Sequence, residues 1–293
     1  CTAALCRAAT QTAVWLSGRP TWDAPPTTAF RRMEEADGVV DVAATWDCLY
    51  VVVRGEVWAL GASNAYGQWG AGRDAPPGAW HRVRLPRGVC VRAMAGGVRH
   101  CLVAVDERGQ HVVYGWGQAR HGELRRVPPT PPYVWYTPVV VHAWPATHAS
   151  SLALGMHHTV IGAYARGETE LVAYGSNRRG QLDVPRGRRP GRWIPTCNWH
   201  TTLVWGDDVM EVYGARQHGQ GVGPGVPCRG AVQVSSGSEH SAMLRDGVVY
   251  GWGWDEHGSV GGGGAAVGAP RVLASEAEGV WTGYGTTWVK LRA

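Results

Sequence analysis

The chain has 293 residues, of which 44% are hydrophobic, and its formal net charge is +5 at pH 7. This length and composition predict a globular protein with a sizeable core. No run of about 18 apolar residues occurs, so we expect no transmembrane helix and no membrane partner. Seven cysteines without a C-x-x-C pair argue against a disulfide framework or a zinc knuckle.

The scattered cysteines are typical of a reducing compartment, and no signal peptide is evident after Cys1. We therefore expect a cytoplasmic protein, with the nucleus as an alternative. The 42 glycines and 18 prolines recur between short apolar runs. This distribution predicts many turns that join many short strands.

The first candidate strand in chain order is "TAVWLSG", from Thr12, and no second strand is evident in "RPTWDAPPTTAF" after it. Copies of one pattern then follow. Each copy consists of a turn, a strand, a second turn and a second strand that ends in Gly. Clear copies are "GGVRHCLVAVDERGQHVVYGWG", "LGMHHTVIGAYARGETELVAYG" and "GSEHSAMLRDGVVYGWG", and weaker ones are "ATWDCLYVVVRGEVWALG" and "CNWHTTLVWGDDVMEVYG".

Each copy opens with a small residue three positions before a histidine or its substitute. We place this element at Ala8–Gln11, Ala44–Asp47, Gly97–His100, Gly155–His158, Cys197–His200, Gly237–His240 and Gly283–Thr286. Successive copies start 36 to 58 residues apart. Repeats of this length built from antiparallel strands predict an all-β fold, a seven-bladed β-propeller, as a single domain over residues 1–293. Since the chain starts just before the first copy, an N-terminal closing strand is not evident.

The recurring glycines and histidines have a structural interpretation. Glycine inside a strand is unfavourable unless backbones approach closely, as strands do near a propeller axis. Each histidine is expected to tie the backbone of adjacent strands together through a hydrogen bond of a ring nitrogen, rather than to bind a metal.

No catalytic motif is found. With Lys290 as the one lysine, a phosphate-binding P-loop is excluded, and neither G-x-S-x-G nor H-E-x-x-H occurs. We therefore expect no enzyme activity, no cofactor and no metal site. The proline-rich stretch Arg125–Pro145 predicts an extended, polyproline-like connector between blades, with recognition by an SH3 or WW module as an alternative.

The repeats resemble the regulator of chromosome condensation superfamily of seven-bladed propellers. Within it, "GSEH", "VYGWGWDEHGSVG" and "GYGTTWVKL" resemble the group formed by the fungal alpha-tubulin-suppressor (killer-toxin-insensitivity) propeller and the animal secretion-regulating guanine nucleotide exchange factor. The residues that carry this resemblance are Gly237, Glu239, His240, Trp252, Trp254, Glu256, His257, Gly258, Thr286, Thr287 and Trp288.

The resemblance implies a partner. Propellers of this group bind a small CSL-type zinc protein that donates electrons in diphthamide synthesis on elongation factor two. The same zinc protein is linked to Elongator, which modifies wobble uridines of transfer RNA. A heterodimer with this zinc protein is therefore expected, with Elongator or transfer RNA as indirect partners. A small GTPase is the alternative partner, although no insertion like the β-wedge of the founding exchange factor is evident.

Aromatic and acidic residues are predicted to form the partner-binding surface, because large rigid rings are frequent hot spots of interfaces. The candidates are Trp46, Trp199, Trp252, Trp254, Asp255, Glu256, His257 and Trp288. A light-sensing dimer is another interpretation of the 16 tryptophans, but the G-W-R-H-T repeats of the plant ultraviolet-B receptor are absent.

A basic run lies in "NRRGQLDVPRGRRPGRW" and contains Arg178, Arg179, Arg186, Arg188, Arg189 and Arg192. Three interpretations stay open: a solvated loop, contacts to transfer-RNA phosphates, or docking of an acidic partner. Relatives of the zinc protein tend to be acidic, which favours docking over RNA contacts.

Overall fold

The structure is a computed structural model that describes residues 2–7, 12–18, 27–32, 38–76, 79–206, 208–221, 226–264 and 266–292. In these ranges every regular element is a β-strand, and no helix there has the length and apolar character needed to cross a bilayer. Two compact units are found, residues 1–152 and 153–293. The single domain expected from the sequence stays a prediction.

The first unit contains three sheets in the described ranges. The first sheet has the strands β1 (Thr2–Arg7), β2 (Thr12–Gly18) and β3 (Thr27–Arg32). The second has β4 (Val39–Ala44), β5 (Cys48–Val53), β6 (Glu56–Gly61) and β7 (His81–Arg82). The third has β8 (Cys90–Gly96), β9 (His100–Glu107), β10 (Gln110–Gln118) and β11 (Val134–Pro145).

The second unit contains four sheets in the described ranges, and its boundary lies within β12. The first has β12 (Ala149–Leu154), β13 (His158–Ala165), β14 (Glu168–Gly175) and β15 (Gly187–Pro190). The second has β16 (Ile194–Cys197), β17 (Thr201–Gly206), β18 (Val209–Gly214) and β19 (Val226–Pro227). The third has β20 (Ala231–Ser236), β21 (His240–Arg245), β22 (Val248–Gly253) and β23 (Val267–Ala274), and the fourth has β24 (Ala277–Thr282) and β25 (Thr287–Leu291).

In every sheet, strands that are consecutive in the chain are also neighbours in space. The all-β architecture predicted from the repeats is confirmed, and the described strands form seven sheets. The predicted number of seven blades stays a prediction.

Alternation of apolar residues along the strands builds the core of each unit. In the first unit, Tyr50, Val103 and Trp116 are among the fully buried residues of the largest cluster. In the second unit, Leu203, Met243 and Trp252 belong to a comparable cluster.

Two predictions about connecting segments are wrong. The stretch after β2 does contain a second strand, because β3 pairs with β2 through Trp15↔Arg32 and Leu16↔Arg31. The proline-rich stretch is not one extended connector, since its second part is β11, which pairs with β10 along most of its length. Its first part turns back on itself, with the Tyr133 N–H donating to the Thr130 carbonyl.

The repeated turn has one geometry in six copies. The N–H of its first residue donates to the carbonyl of its fourth at 2.8–2.9 Å, in Thr45–Cys48, Gly97–His100, Gly155–His158, Asn198–Thr201, Gly237–His240 and Gly283–Thr286. Two predicted registers are therefore wrong by one residue: the turn is Asn198–Thr201 rather than Cys197–His200, and Thr45–Cys48 rather than Ala44–Asp47. Ala8–Gln11 lies outside the described residues.

Consecutive turns are connected by backbone hydrogen bonds between their second residues. In the second unit, Met156 N donates to Trp199 O, Trp199 N to Ser238 O, and Ser238 N to Tyr284 O. A Cβ on Gly237 would lie 2.2 Å from the Gly283 carbonyl oxygen, so these turns approach closely. The predicted close approach of strands is confirmed in the first unit, because a Cβ on Gly96, the last residue of β8, would lie 2.1 Å from the carbonyl oxygen of Ala44, the last residue of β4.

The histidines that end these turns are buried, with exposed fractions of 0% for His158 and 1% for His240. His158 Nε2 lies 3.1 Å from Thr202 Oγ1, whose hydroxyl donates to the Gln181 carbonyl. His240 Nε2 lies 3.1 Å from Thr287 Oγ1, which donates to the Ser259 carbonyl. Since each hydroxyl proton is committed to a carbonyl, the ring nitrogen is the donor to the hydroxyl oxygen. The histidine rings thus form the predicted hydrogen bonds, but the partner of these Nε2 atoms is a threonine side chain rather than the backbone.

Candidate protein-binding surface

A loop follows the third strand of each repeat and lies at the same end of the sheet as the recurring turn. This placement follows from the antiparallel register, in which His240 is opposite Gly253. In the second unit, we define the loop surface as residues 176–182, 215–221 and 254–258. This surface contains four of the predicted partner-binding residues, namely Trp254, Asp255, Glu256 and His257.

The first residue of each loop occupies a fixed position. Its N–H donates to the carbonyl of the third residue of the turn, from Gln118 to Arg99, Ser176 to His157, Ala215 to His200, and Trp254 to Glu239. The repeat thus fixes the backbone at this position and leaves the side chain free to vary. Of the four residues at this position, Trp254 is the one with a large aromatic side chain.

Trp254 forms an aromatic cluster with two histidines of the loop surface. Its ring centroid lies 5.3 Å from that of His257 and 6.0 Å from that of His218. Trp254 and His218 are half-buried, whereas Glu256 and His257 are exposed. The structure therefore brings Trp254, Glu256 and His257 together on an accessible surface, which is the placement predicted for partner-binding residues.

His218 is not among the residues predicted from the sequence, although the sequence contains a signal for it. The dipeptide His-Gly recurs in the loops as His218-Gly219 and His257-Gly258. Both glycines have positive φ, 77° and 73°, so the loops turn in the same way and present equivalent histidines.

Trp252 is wrongly predicted as a binding residue. Its exposed fraction is 0%, and it packs with Leu203, Met210 and Met243 in the core of the second unit. Gly253, with φ of 108°, ends β22 and reverses the direction in which the next side chain points. The strand alternation that would place Trp252 and Trp254 on one side is therefore broken between them.

Asp255 is also wrongly predicted as a partner contact, since its exposed fraction is 1%. Its carboxylate accepts hydrogen bonds from Val260 N at 2.7 Å and Gly262 N at 2.6 Å. Asn177 makes the equivalent bond to Leu182 N, five residues along its own loop. Asp255 therefore holds the shape of the loop that presents Glu256 and His257.

The other predicted tryptophans occupy other positions of the repeats. Trp199 is half-buried in the second residue of its turn, with its ring 6.0 Å from Tyr284. Trp288 lies on β25 opposite Trp281 and is 37% exposed. Trp46 belongs to the first unit and is 57% exposed. These residues are accessible, and their role in binding stays a prediction.

The predicted basic loop is divided by β15. Arg178 and Arg179 lie on the loop surface and are exposed, while Arg188 and Arg189 are part of the strand. Arg186 and Arg192 are exposed beside the strand.

Arg189 is wrongly grouped with the free basic residues. Its Nη1 and Nη2 bind the two carboxylate oxygens of Glu211 at 2.8 and 3.0 Å. The guanidinium also lies 3.4 Å from the ring centroid of Trp193. The Arg189 hydrogen bond holds the pKa of Glu211 below its usual value. This guanidinium is committed to packing between strands.

The loop surface is positively charged. Its described residues include the exposed arginines Arg178, Arg179 and Arg216, and the one exposed acidic side chain among them is Glu256. Burial lowers the pKa of the neighbouring His200, although the charge of Glu239 opposes this effect. His200 is therefore neutral near pH 7, and arginines supply the charge of this surface.

Comparisons with known proteins agree with this architecture. The family model of the regulator of chromosome condensation (RCC1) repeat matches residues 231–259, which include β20 to β22 and the Trp254 loop. The ultraviolet-B receptor UVR8 of Arabidopsis thaliana is 29% identical over 215 residues, covering 73% of this chain and 40% of that protein. The secretion-regulating guanine nucleotide exchange factor of Bos taurus is 27% identical over 288 residues, covering 80% of this chain and 60% of that protein. The chain thus spans about half the length of these relatives.

Solved structures show the same fold. Prp20p from Saccharomyces cerevisiae, studied for its binding to Gsp1p and histones, superposes with a TM-score of 0.71 at 17% identity, over 96% of this chain and 78% of that chain. Human WBSCR16 gives the same TM-score and identity over 96% of this chain and 81% of that chain. The animal exchange factor anticipated from the sequence is among the relatives, while the closer likeness to its fungal counterpart stays a prediction. Together, the repeat match, the relatives and the shared fold support an RCC1-like β-propeller.

Proposed function

We propose that this propeller is a non-enzymatic protein-binding module that docks an acidic partner protein on its loop surface. One observation carries the proposal. Four equivalent backbone positions hold Gln118, Ser176, Ala215 and Trp254, and the last of these has an accessible indole in contact with two imidazoles. A half-exposed tryptophan that the repeat does not require is suited to anchor an interface.

Charge supports the choice of an acidic partner. Arg178, Arg179 and Arg216 are exposed on the same loop surface as the aromatic cluster, and complementary charge accelerates association and favours one orientation. Glu256 beside His257 is the acidic exception on this surface, and it suits a basic group of the partner. The loop surface thus combines an aromatic anchor with exposed positive charge.

The partner proposed first is the small CSL-type zinc protein, which the sequence resemblance implies. In this role the propeller would orient the metal centre of the zinc protein for electron transfer in diphthamide synthesis and in Elongator-dependent modification of transfer RNA. The proposed location is the cytoplasm, with the nucleus as the alternative.

A pull-down of the purified chain with the zinc-loaded CSL protein, followed by calorimetric titration, tests this proposal. We expect one-to-one binding at micromolar affinity or better, weakened as salt rises. Trp254→Ala and Glu256→Ala should each weaken binding at least tenfold without loss of folding. Val232→Ala is the matched control, because Val232 is 70% exposed near the start of β20, away from the turn end of the sheet.

A small GTPase is the second candidate partner, favoured by the bovine relative that is named as a guanine nucleotide exchange factor. A nucleotide-release assay on a panel of small GTPases separates the two candidates. Accelerated release that Trp254→Ala abolishes, without binding to the zinc protein, would replace the first partner and keep the loop surface. Unchanged affinity of Trp254→Ala for every bound partner would refute the loop surface itself.

A further inference from the structure

A serine, a histidine and an aspartate form a hydrogen-bonded row in the first unit, outside the loop surface. His111 Nε2 lies 2.8 Å from Ser150 Oγ, and His111 Nδ1 lies 2.9 Å from Asp106 Oδ1. Arg92 Nε donates to the second oxygen, Asp106 Oδ2, at 2.5 Å. These distances are those of a nucleophile, a general base and the group that orients the base.

The fold explains why these residues meet. Asp106 on β9 and His111 on β10 are direct cross-strand partners in the antiparallel register. Arg92 reaches Asp106 from β8, which pairs with β9 on its other side. Ser150 comes from a different sheet, because it lies on β12, and it belongs to the part of β12 that precedes the unit boundary after residue 152. No local motif could have indicated this row, because its members are carried by separate strands.

The environment favours the required protonation states. Burial by itself would raise the pKa of Asp106, but hydrogen bonds from His111 and Arg92 together lower it. An ionised Asp106 accepts the Nδ1 proton of His111, which leaves Nε2 as the acceptor for the Ser150 hydroxyl proton. His111 is 2% exposed and held at both nitrogens, whereas Ser150 is half-buried and accessible in part.

We propose that Ser150 is an activated nucleophile that accepts acyl groups from activated carboxylic esters. The Ser150 oxygen forms a bond to the ester carbonyl carbon while its proton passes to His111 Nε2. The carbon–oxygen bond to the alcohol then breaks, and the leaving alkoxide takes the proton from His111. Water hydrolyses the acyl-serine by the reverse use of the same base, so the cycle needs no further reactant.

A general base contributes on the order of 10² to 10⁴ in rate. The reaction rates of Ser150 and Ser151 should therefore differ by about this factor. Both serines are half-buried on β12, but strand alternation directs Ser151 to the opposite face of the sheet. Ser151 is therefore an internal reference of the same residue type on the same strand, with its side chain directed to the face opposite that of Ser150.

The test is covalent labelling of the whole chain with a fluorophosphonate, followed by peptide mapping by mass spectrometry. In this reaction the serine oxygen bonds to phosphorus, fluoride leaves, and the hydroxyl proton passes to His111. We expect labelling at Ser150 at a rate at least about 100-fold above that at Ser151. Ser150→Ala should abolish the label, and Ser151→Ala should leave it unchanged.

His111→Gln should lower the labelling rate of Ser150 by at least tenfold, with folding checked by circular dichroism. The ratio of Ser150 to Ser151 labelling in the unmodified chain decides the matter even if that variant fails to fold. Equal rates at the two serines, or no label at Ser150, would overturn the proposal and leave the row as a structural contact between sheets. Hydrolysis of p-nitrophenyl acetate that Ser150→Ala abolishes would show turnover as well as labelling.

Discussion

Trp252 and Trp254 are separated by one residue, and their surroundings are opposite. Trp252 is the second-last residue of β22 and is completely buried among core residues, while Trp254 opens a loop, is half-buried and makes tilted ring contacts with two histidines. Gly253 separates them with a backbone conformation that few other residues adopt. The comparison teaches that tryptophans of one local motif can have unrelated roles.

Other repeats extend the comparison. Trp116 is the counterpart of Trp252, is also fully buried, and donates its Nε1 proton to the Gln68 carbonyl. The counterpart of Trp254 in that repeat is Gln118. A residue that recurs has a structural role in the repeat, whereas a residue that departs from the repeat at an accessible position is a candidate for function.

Replacing each of the two tryptophans by alanine tests the comparison most directly. Trp252→Ala should lower the free energy of unfolding by about 3 to 5 kcal/mol, because it leaves a large cavity in the core. Trp254→Ala should change it by less than about 1 kcal/mol, since the side chain is partly solvated. Chemical denaturation measures both, and similar losses from the two variants would contradict the assigned environments.

Gly253→Ala should destroy the boundary between the two environments. A Cβ there would lie 2.5 Å from the Glu239 carbonyl oxygen, and the φ of 108° is itself unfavourable for alanine. We expect a loss of about 3 kcal/mol or more in the free energy of unfolding. Gly258→Ala is the matched control, because Gly258 has a φ of 73° but an added Cβ would meet no atom within 4 Å. This variant should lower the free energy of unfolding by about 1 to 2 kcal/mol. Equal losses would show that the close approach to Glu239 is unimportant.

The pH dependence of stability tests the buried side of the comparison. Burial lowers the pKa of His240 from 6.5 to about 4, so the folded chain binds fewer protons than the unfolded chain between these values. The contribution of His240 to the free energy of unfolding is therefore complete above pH 6.5. It decreases by roughly 3 kcal/mol as the pH drops from 6.5 towards 4.

Denaturation curves at several pH values, compared between the unmodified chain and His240→Gln, measure this contribution. The variant should lose less stability than the unmodified chain over that interval. Parallel losses in the two proteins would refute the assignment to His240.

Two arginines of the basic run provide a smaller test. Arg189→Lys removes the bidentate pairing with Glu211 and the contact with Trp193, and should cost about 1 to 2 kcal/mol of stability. Arg178→Lys should leave stability within about 0.5 kcal/mol, because Arg178 is exposed on the loop surface. Thermal melts of both variants measure these changes in stability. Equal losses from the two substitutions would show that the contacts of Arg189 with Glu211 and Trp193 do not stabilise the fold.

Part of the candidate site followed from the sequence because repetition is a local property. The histidine of each turn and the glycine that ends the second strand after it recur in the same order, and both make close backbone or side-chain contacts in the structure. Glu256 and His257 could be placed on a loop for the same reason, since they follow the last glycine of the motif. His218 could have been found by aligning the loops as well as the strands.

The sequence by itself determined the all-β repeat architecture, the turns at Gly155–His158 and Gly237–His240, and the RCC1-like resemblance, because glycine, histidine and apolar alternation repeat along the chain. Tertiary structure alone decided the register at Asn198–Thr201, the burial of Trp252 and Asp255, the pairing of Arg189 with Glu211, and the row of Asp106, His111 and Ser150. The physical reason is that these features depend on which side chains of other strands come within hydrogen-bonding or packing distance. Strand pairing sets those neighbours, and residue spacing along the chain does not reveal them.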